Sequence, residues 1–350
     1  MLGKNANLYY AAGIANAAAK THEVWVVIPD YSDKSIFSKD VNILTITAPP
    51  SILGTIRNIF SSQHRIILEK IKNVQPDILH VVWNHPYAVY YAKMLRNFKI
   101  YWTCHDPEFH SGEAWKLRTL GDRYVHTYFF KHADRIFVHG KKLKKQLIEN
   151  KNISASRIMS MRHGAIGPAL KEGQNKKIPD KGVFLFFGRI ERYKGLFTLL
   201  NAMQSVVKKF PKSKLIIAGS GSLKEYEALI EQVKGNLEIH NEFISDKKLA
   251  VLFSKSEFVV LPYDDATQSG VIPVAYSFRK PVIATDVGSL SDVVINEKTG
   301  ILVPPKNSEK LSEAISRFLL NPNITKNMGK KAYLWMKENL DWGKIIKDMY

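Results

Sequence analysis

At 350 residues the chain has the length of about two domains, and no apolar run approaches the ~18 residues that a membrane-spanning helix needs. Cys104 is the only cysteine, which excludes an intrachain disulfide and agrees with a reducing compartment, so the expectation is a soluble, cytoplasmic protein. Lys and Arg number 51 against 32 Asp and Glu, and the net charge of +19 is spread over both halves (24 basic against 13 acidic residues in 1–175, 27 against 19 in the rest), which favours acidic partners such as nucleotides, nucleic acid or anionic lipid.

In chain order, "ANLYYAAGIANAAAK" (6–20) reads as a helix, and short β-branched or aromatic runs follow it: "EVWVVIP" (23–29), "NILTIT" (42–47), "DILHVVW" (77–83), "KIYWTC" (99–104) and "RIFVHG" (135–140). The stretches between them space their apolar residues three to four apart, as helices do. One of these, "SILGTIRNIFSSQHRIILEKIKN" (51–73), sets Ile52, Ile56, Ile59, Phe60, Ile67 and Ile71 at helical spacing among Arg57, Arg65, Lys70 and Lys72. The polar "LKEGQNKKIPDKG" (170–182) carries Gly and Pro without periodicity and is the linker. Alternation then restarts with "VFLFFG" (183–188), "KLIIAG" (214–219), "LEIHN" (237–241), "FVVLP" (258–262), "PVIAT" (281–285) and "GILVP" (300–304). Strands this apolar on both faces belong to parallel sheets covered by helices, so the expected architecture is α/β, two doubly wound domains with a ligand in the cleft between them.

The second domain carries the clearer chemistry. "FFGRIERYKGLFTLL" (186–200) puts Gly188 at a strand end, Arg189 just beyond it, and Lys194-Gly195 at the mouth of a helix. Two cations beside a helix N-terminus suit a diphosphate, because the free N–H groups and the helix dipole favour anions. In "IIAGSGSLKEY" (216–226), Gly219 and Gly221 let the backbone approach a ligand; taken alone, an ordinary tight βα turn is the plainer reading of them. "YDDATQSGVIPVAYSF" (263–278) sets Gln268, Ser269 and Gly270 ahead of a short apolar helix, where their N–H groups face a ligand or form an ordinary N-cap.

These stretches are similar to one family. "GRIERYKG" (188–195), "AGSG" (218–221), "FSKSEFVVLPY" (253–263), "KPVIATDVGSLSDVV" (280–294) and "TGILVPP" (299–305) resemble retaining GT-B glycosyltransferases of family four, the glycosyl transferases group 1. The resemblance implies the GT-B fold, two Rossmann-like doubly wound domains facing each other across a cleft: residues 1–175 for the acceptor, 176–335 for a nucleotide sugar, and 336–350 ("LDWGKIIKDMY" at its end) as a helix returning to the first domain. It further implies that Gly188, Arg189 and Lys194 meet the diphosphate with Gly219 and Gly221, that Thr267, Gln268 and the amides of Ser269, Gly270 and Val271 hold its terminal phosphate, and that Phe243 and Ile244 border the base. Two side-chain cations and a helix end then do the work of a divalent ion, so neither metal nor cofactor is expected.

Two features depart from the family. Its two glutamates would fall at Ala266 and Val274; Asp264 and Asp265 stand just upstream, and Asp265 is taken as the catalytic carboxylate on the donor sugar. The chain also opens almost on the family's Gly-rich loop, with Gly3 as its remnant, so either the true start lies upstream or the sheet lacks its first strand. In the first domain, "YWTCHDPEFHSGEAW" (101–115) puts His105 and Asp106 after a strand. By the resemblance His105 reaches the reacting centre; a strand-end histidine bonded to backbone is the plainer reading, with Asp106 orienting it or its loop on the acceptor side. "WNHPYAV" (83–89) adds Asn84 and His85 as acceptor contacts, and His163 in "MRHGAI" (161–166) reads as structural. Cys104 should point away from His105 across its strand and is not a nucleophile. The basic helix surfaces, with "KKLKKQLIENK" (141–151), either meet water or rest on an anionic inner leaflet, which would make the acceptor lipid-linked. The alternative function is a non-catalytic nucleotide- or nucleic-acid-binding protein on the same scaffold; the chain shows no RNA-binding signature, which argues against nucleic acid.

Overall fold

The computed structural model describes residues 2–49, 54, 57–59, 61–106, 117–165 and 178–350. They form two compact bodies, Asn7–Met161 with Ile346–Tyr350, and Arg162–Ile345 with the first residues up to Ala6.

In the N-terminal body, helix α1 (Leu2–Ala18) leads to β1 (Val24–Pro29), which pairs in parallel with β2 (Val41–Ile46). Helix α2 (Ser62–Val74) is followed by β3 (Ile78–Val81), α3 (Pro86–Met94), β4 (Lys99–Cys104), α4 (Leu117–His132), β5 (Arg135–His139), α5 (Lys141–Lys151) and β6 (Ile158–Met161). Strands β3 to β6 form a four-stranded parallel sheet in chain order. The sequence led us to expect one doubly wound sheet; among the described residues there are two separate ladders, and β1 and β3 are each paired on one side only. Alternate residues of β4 and β5 (Ile100, Trp102 and Cys104; Ile136 and Val138) pack beneath Val89, Val125, Phe129, Leu143 and Leu147 of the helices. Cys104 is thus a core residue, and burial holds its thiol well above the ordinary range, where it is inert. Ile67 is buried, and Ile59 and Ile71 pack on the same cluster with Ile46 and Tyr87, so the apolar stripe of α2 faces its own body; Ile52, Ile56 and Phe60 lie outside the described residues. The sequence reading missed β6, a half-buried edge strand whose exposed Ser160 breaks any apolar run.

The C-terminal body holds β7 (Val183–Phe187), α6 (Leu196–Lys209), β8 (Lys214–Ala218), α7 (Glu227–Val233), β9 (Leu237–His240), α8 (Asp246–Lys255), β10 (Phe258–Leu261), α9 (Val271–Ser277), β11 (Val282–Thr285), β12 (Gly300–Val303), α10 (Ser308–Leu320) and α11 (Pro322–Asn339). Its strands make one six-stranded parallel sheet of order β12-β11-β10-β7-β8-β9. Leu185, Phe187, Ile216, Val259 and Leu261 fill one face with residues of α8, α9 and α11. Phe184, Phe186, Leu215, Ile217 and Val260 fill the other with α6 and α10, so both faces of each central strand are buried, as their unbroken apolar runs require.

The division between bodies differs from the boundaries read at 175 and 335. Residues 163–165 are tied to the end of the chain: the Ala165 N–H donates to the Leu340 carbonyl (3.0 Å), and the Trp342 indole N–H to the Ala165 carbonyl (2.8 Å). The expected helix over 336–350 is instead the end of α11, a short helix α12 (Trp342–Ile345) and the segment Ile346–Tyr350. Only that last segment joins the N-terminal body, through the Tyr350 hydroxyl at 2.6 Å from His80 Nδ1 and the Tyr350 ring stacked on Tyr101. Of the linker, residues 170–177 lie outside the described residues. No helix of the described residues is long and apolar enough to cross a membrane.

Candidate functional site

The order of the C-terminal sheet reverses between β7 and β10, and doubly wound sheets bind ligands beyond the carboxyl ends of their strands at such a point. The loops leaving these two strands are joined to each other. Gly195 caps α6 in the left-handed region (φ 69°), and a Cβ there would fall on the Pro262 carbonyl oxygen, so both the conformation and the close approach demand glycine. Alongside, the Asp264 N–H donates to the Tyr193 carbonyl at 2.8 Å and the Asp265 N–H reaches the same oxygen at 3.5 Å. This junction sets Lys194 over the ring of Tyr263, its ammonium 3.8 Å from the centroid and 5.0 Å from that of Tyr193.

Arg189, just past β7, is half-exposed and 3.7 Å from Glu191. It borders a depression with Phe187, Gly188, Gly219, Ser220, Phe243 and Ile244, which brings five of the expected donor-binding residues to one place. The glycines there differ in what they do. Gly188 has a φ of 131° and nothing within 4 Å of where a Cβ would stand, so its open side faces the depression. A Cβ on Gly219 would strike the Gly188 carbonyl, and one on Gly221 the Ile190 carbonyl. The Gly221 N–H already donates to Asn241 Oδ1 (3.1 Å), and Asn241 Nδ2 donates back to the Gly221 carbonyl (3.0 Å). Gly219 and Gly221 therefore act as the packing of a tight βα turn, and the amide of Gly221 is not offered to a ligand. Phe243 keeps its ring half-exposed while Ile244 is buried.

The turn between β10 and α9 is braced from outside, since the Ser289 N–H donates to the Thr267 carbonyl at 3.0 Å and Gly288 packs on the Ala266 carbonyl. Helix α9 begins at Val271 and Gly270 is its cap with an ordinary φ of −68°, so the backbone does not itself require glycine there. The Val271 amide, expected to face phosphate, donates instead to Ser269 Oγ at 3.3 Å, because the serine side chain folds back as a cap. The amides of Ser269 and Gly270 have no protein acceptor among the described residues. Gln268 Oε1 and Asp264 Oδ1 are buried acceptors without a partner among those residues. Burial holds the Asp264 carboxyl above the ordinary range, against the pull of Lys306, whereas Asp265 next to it is exposed. Of the two acids the inward one is Asp264, not Asp265. Ala266 and Val274 are buried, Val274 within the core behind α9.

The residues expected on the acceptor side are tied into the N-terminal body. His105 is 3.1 Å from the Val82 carbonyl through Nε2 and 3.2 Å from His139 Nε2 through Nδ1, with the Tyr10 ring edge-on to it. Nε2–H donating to the carbonyl leaves Nδ1 to accept from His139, which engages both ring nitrogens; burial lowers the His105 pKa against the opposing charge of Asp106. This is the strand-end histidine of the plainer reading. Asn84 accepts from the Trp102 indole (3.1 Å) and is 2.8 Å from His126 Nε2, and His85 caps α3 by accepting from the Tyr87 N–H (3.2 Å). Burial takes the His85 pKa down to about 4, so the ring stays neutral as a cap must. Asn84 and His85, expected as acceptor contacts, thus carry structural tasks within this body. His163 is buried beside the Gly164 carbonyl, and the segment 107–116 after Asp106 lies outside the described residues. Sequence reasoning passed over Tyr263, Asn241 and Ser289; Asn241 was counted with its strand, and Tyr263 and Ser289 stand inside stretches quoted for other residues.

Two parallel-sheet, Rossmann-like bodies in one chain define a GT-B protein, with the candidate site at the strand ends of the second. The family model described as "Glycosyl transferases group 1" matches residues 170–335 and that of "Glycosyltransferase Family 4" matches 9–164, so that between them they take in most of the chain, and the protein belongs to the group 1 glycosyltransferases. An uncharacterized glycosyltransferase of Methanocaldococcus jannaschii is 30% identical over 246 residues, 68% of this chain and 64% of that one. The chain spans between 44 and 64% of the length of three such curated relatives from that organism. Among solved structures, sucrose-phosphate synthase from Thermosynechococcus elongatus shares the fold with a TM-score of 0.71 at 22% identity over 97% of this chain and 90% of that one. HepE of Anabaena, crystallised with UDP, does so with a TM-score of 0.71 at 15% identity over 98% and 94%.

Proposed function

We propose that the protein transfers a sugar from a nucleotide-diphosphate donor, held by the C-terminal body, to an acceptor hydroxyl with retention of anomeric configuration and without a metal ion. The observation that carries this reading is the junction at β7 and β10: a lysine ammonium set over Tyr263, next to a turn whose Ser269 and Gly270 amides have no protein acceptor among the described residues. Donors of this kind, fixed before the reaction, match the charge that develops on a departing diphosphate, and one such donor is commonly worth about 3 to 4 kcal/mol in the transition state. Arg189 adds a second cation beside the depression where Phe243 presents an exposed ring for a base. That HepE has been crystallised with UDP and with UDP-glucose supports a nucleotide-sugar donor. A binding protein without chemistry is the less favoured reading, given the family.

The acceptor we place in polysaccharide, lipopolysaccharide or glycolipid assembly at the inner face of the membrane. Helix α5 supports this: Leu143 and Leu147 are buried while Lys141, Lys142 and Lys145 stand out to solvent. The test is incubation with a panel of UDP-, GDP- and ADP-sugars in EDTA, following release of the nucleoside diphosphate and the anomeric signal of the product by NMR. The reading predicts release that survives EDTA and a product with the donor's configuration. Strict dependence on manganese, or inversion, would contradict it.

A further inference from the structure

We propose that Tyr263 is a positioning residue, whose buried ring holds the Lys194 ammonium and whose hydroxyl holds Ser269, so that one side chain sets both the cation and the turn that meet the diphosphate. The inference rests on the donor site proposed above. Tyr263 follows β10 just beyond Pro262, is fully buried, and is 6 positions before Ser269 in the chain. The Lys194 ammonium is 3.8 Å from its ring centroid, well inside the ~6 Å reach of a cation–π contact. At the other end of the same ring the hydroxyl is 3.4 Å from Ser269 Oγ, which in turn accepts from the Val271 N–H at 3.3 Å. Since Ser269 Oγ already accepts from an amide, its hydroxyl proton is available to Tyr263, or the Tyr263 proton to it. Burial raises the Tyr263 pKa to about 12, so the hydroxyl keeps its proton at working pH.

The physical consequence is preorganisation. A lysine on a flexible four-carbon stem loses rotamer freedom when it binds phosphate, and a ring that already holds the ammonium removes part of that loss before the ligand arrives. The neighbouring contacts keep the arrangement in register, because the Asp264 N–H to Tyr193 carbonyl bond and the seat of Gly195 on Pro262 fix Tyr263 and Lys194 on adjoining loops. A tyrosine at this place is otherwise an unneeded polar group in a core position, where phenylalanine or leucine would fill the space.

The test is calorimetric titration of UDP, GDP and ADP, taking the one that binds best, into the wild type, Lys194→Ala, Tyr263→Leu and the double variant at several salt concentrations. Tyr263→Leu is expected to weaken binding by about tenfold. The losses should be less than multiplicative: in the double variant, removing the tyrosine should add only what its hydroxyl contributes through Ser269, since the ring itself acts through the lysine. Tyr263→Leu should also lower the salt dependence of binding as Lys194→Ala does, a change that a purely packing role would not produce. Losses that multiply in the double variant, or an unchanged salt dependence, would overturn the proposal. Should Tyr263→Leu not fold, Tyr263→Phe and Ser269→Ala decide: each is expected to weaken binding, with no further loss in the pair, and independent losses overturn it. A wild type that binds none of the three nucleotides fails the donor-site reading itself, which distinguishes that failure from a failure of the tyrosine's role.

Discussion

Gly195→Ala, set beside Gly188→Ala, tests how the site is held together. At Gly195 the backbone is left-handed, which costs an alanine about 1 to 2 kcal/mol. The new Cβ would also fall on the Pro262 carbonyl oxygen, a backbone atom that cannot turn aside, and forced overpacking of this kind costs a further 1 to 3 kcal/mol or about that. Stiffening of the unfolded chain returns roughly 0.4 to 1 kcal/mol, leaving a net loss of about 1 to 5 kcal/mol. Gly188 also has a positive φ, yet nothing lies within 4 Å of its absent Cβ, so alanine there meets conformational strain alone. Urea unfolding followed by circular dichroism measures both losses from the shift in midpoint. Gly195→Ala should be the less stable of the two, whereas Gly188→Ala should lose more nucleotide affinity relative to its stability, because its methyl enters the depression beside Arg189. Equal stability of the two variants would refute the junction between the β7 and β10 loops.

Arg189→Ala should lower turnover by about 10²-fold with the fold intact, and near-normal turnover in steady-state assays would remove Arg189 from the site. Lys280 is buried, donates to the Ser254 carbonyl at 3.2 Å, and has its pKa pushed down to about 8 by burial against the pull of Glu257. Between about 8 and the ordinary lysine value of about 10.5 the unfolded chain binds more protons than the native one, so stability rises with pH across that window. Relative to Lys280→Met, the wild type should gain on the order of 3 kcal/mol from below the window to above it in unfolding titrations, and a pH-independent difference would contradict the buried charge. The protein should sediment with anionic but not neutral liposomes at low salt, and should lose this when Lys141, Lys142, Lys144 and Lys145 are neutralised, each worth about 1 kcal/mol near such a surface; a protein left in the supernatant would point to a soluble acceptor.

Most strands were legible because their residues are buried on both faces, so that runs such as "VFLFF" (183–187) and "FVVL" (258–261) stand out from any periodic helix. The edge strand β6 was not, since Ile158–Met161 is buried only in alternate, partial fashion. Arg189, Lys194 and the turn at Ser269 were legible as groups at strand ends, and the fold places them there. What stayed hidden was which of several equivalent polar groups turns inward. Asp264 and Asp265 look alike in sequence, and only the fold, which buries the Asp264 carboxyl and leaves Asp265 exposed, tells them apart. Likewise Gly188, Gly219 and Gly221 are one pattern in the chain, yet two of them are loop packing and one keeps an open side. His105, Asn84 and His85 sit at the strand ends where they were expected; the partners of His105 and Asn84 (Val82 and His139, Trp102 and His126) come from elsewhere in the chain, while His85 caps the helix that follows it through the Tyr87 N–H.

Calorimetric titration of the purified chain with UDP, GDP and ADP, without added metal, tests the central claim most directly. The account predicts saturable binding of at least one of them at a single site, weakened by Arg189→Ala and by Lys194→Ala and unchanged by EDTA. Absence of binding by all three, in a folded protein that is held on heparin or DNA at moderate salt, would contradict it and would make the basic surface, not the turn at Ser269, the functional feature of the molecule.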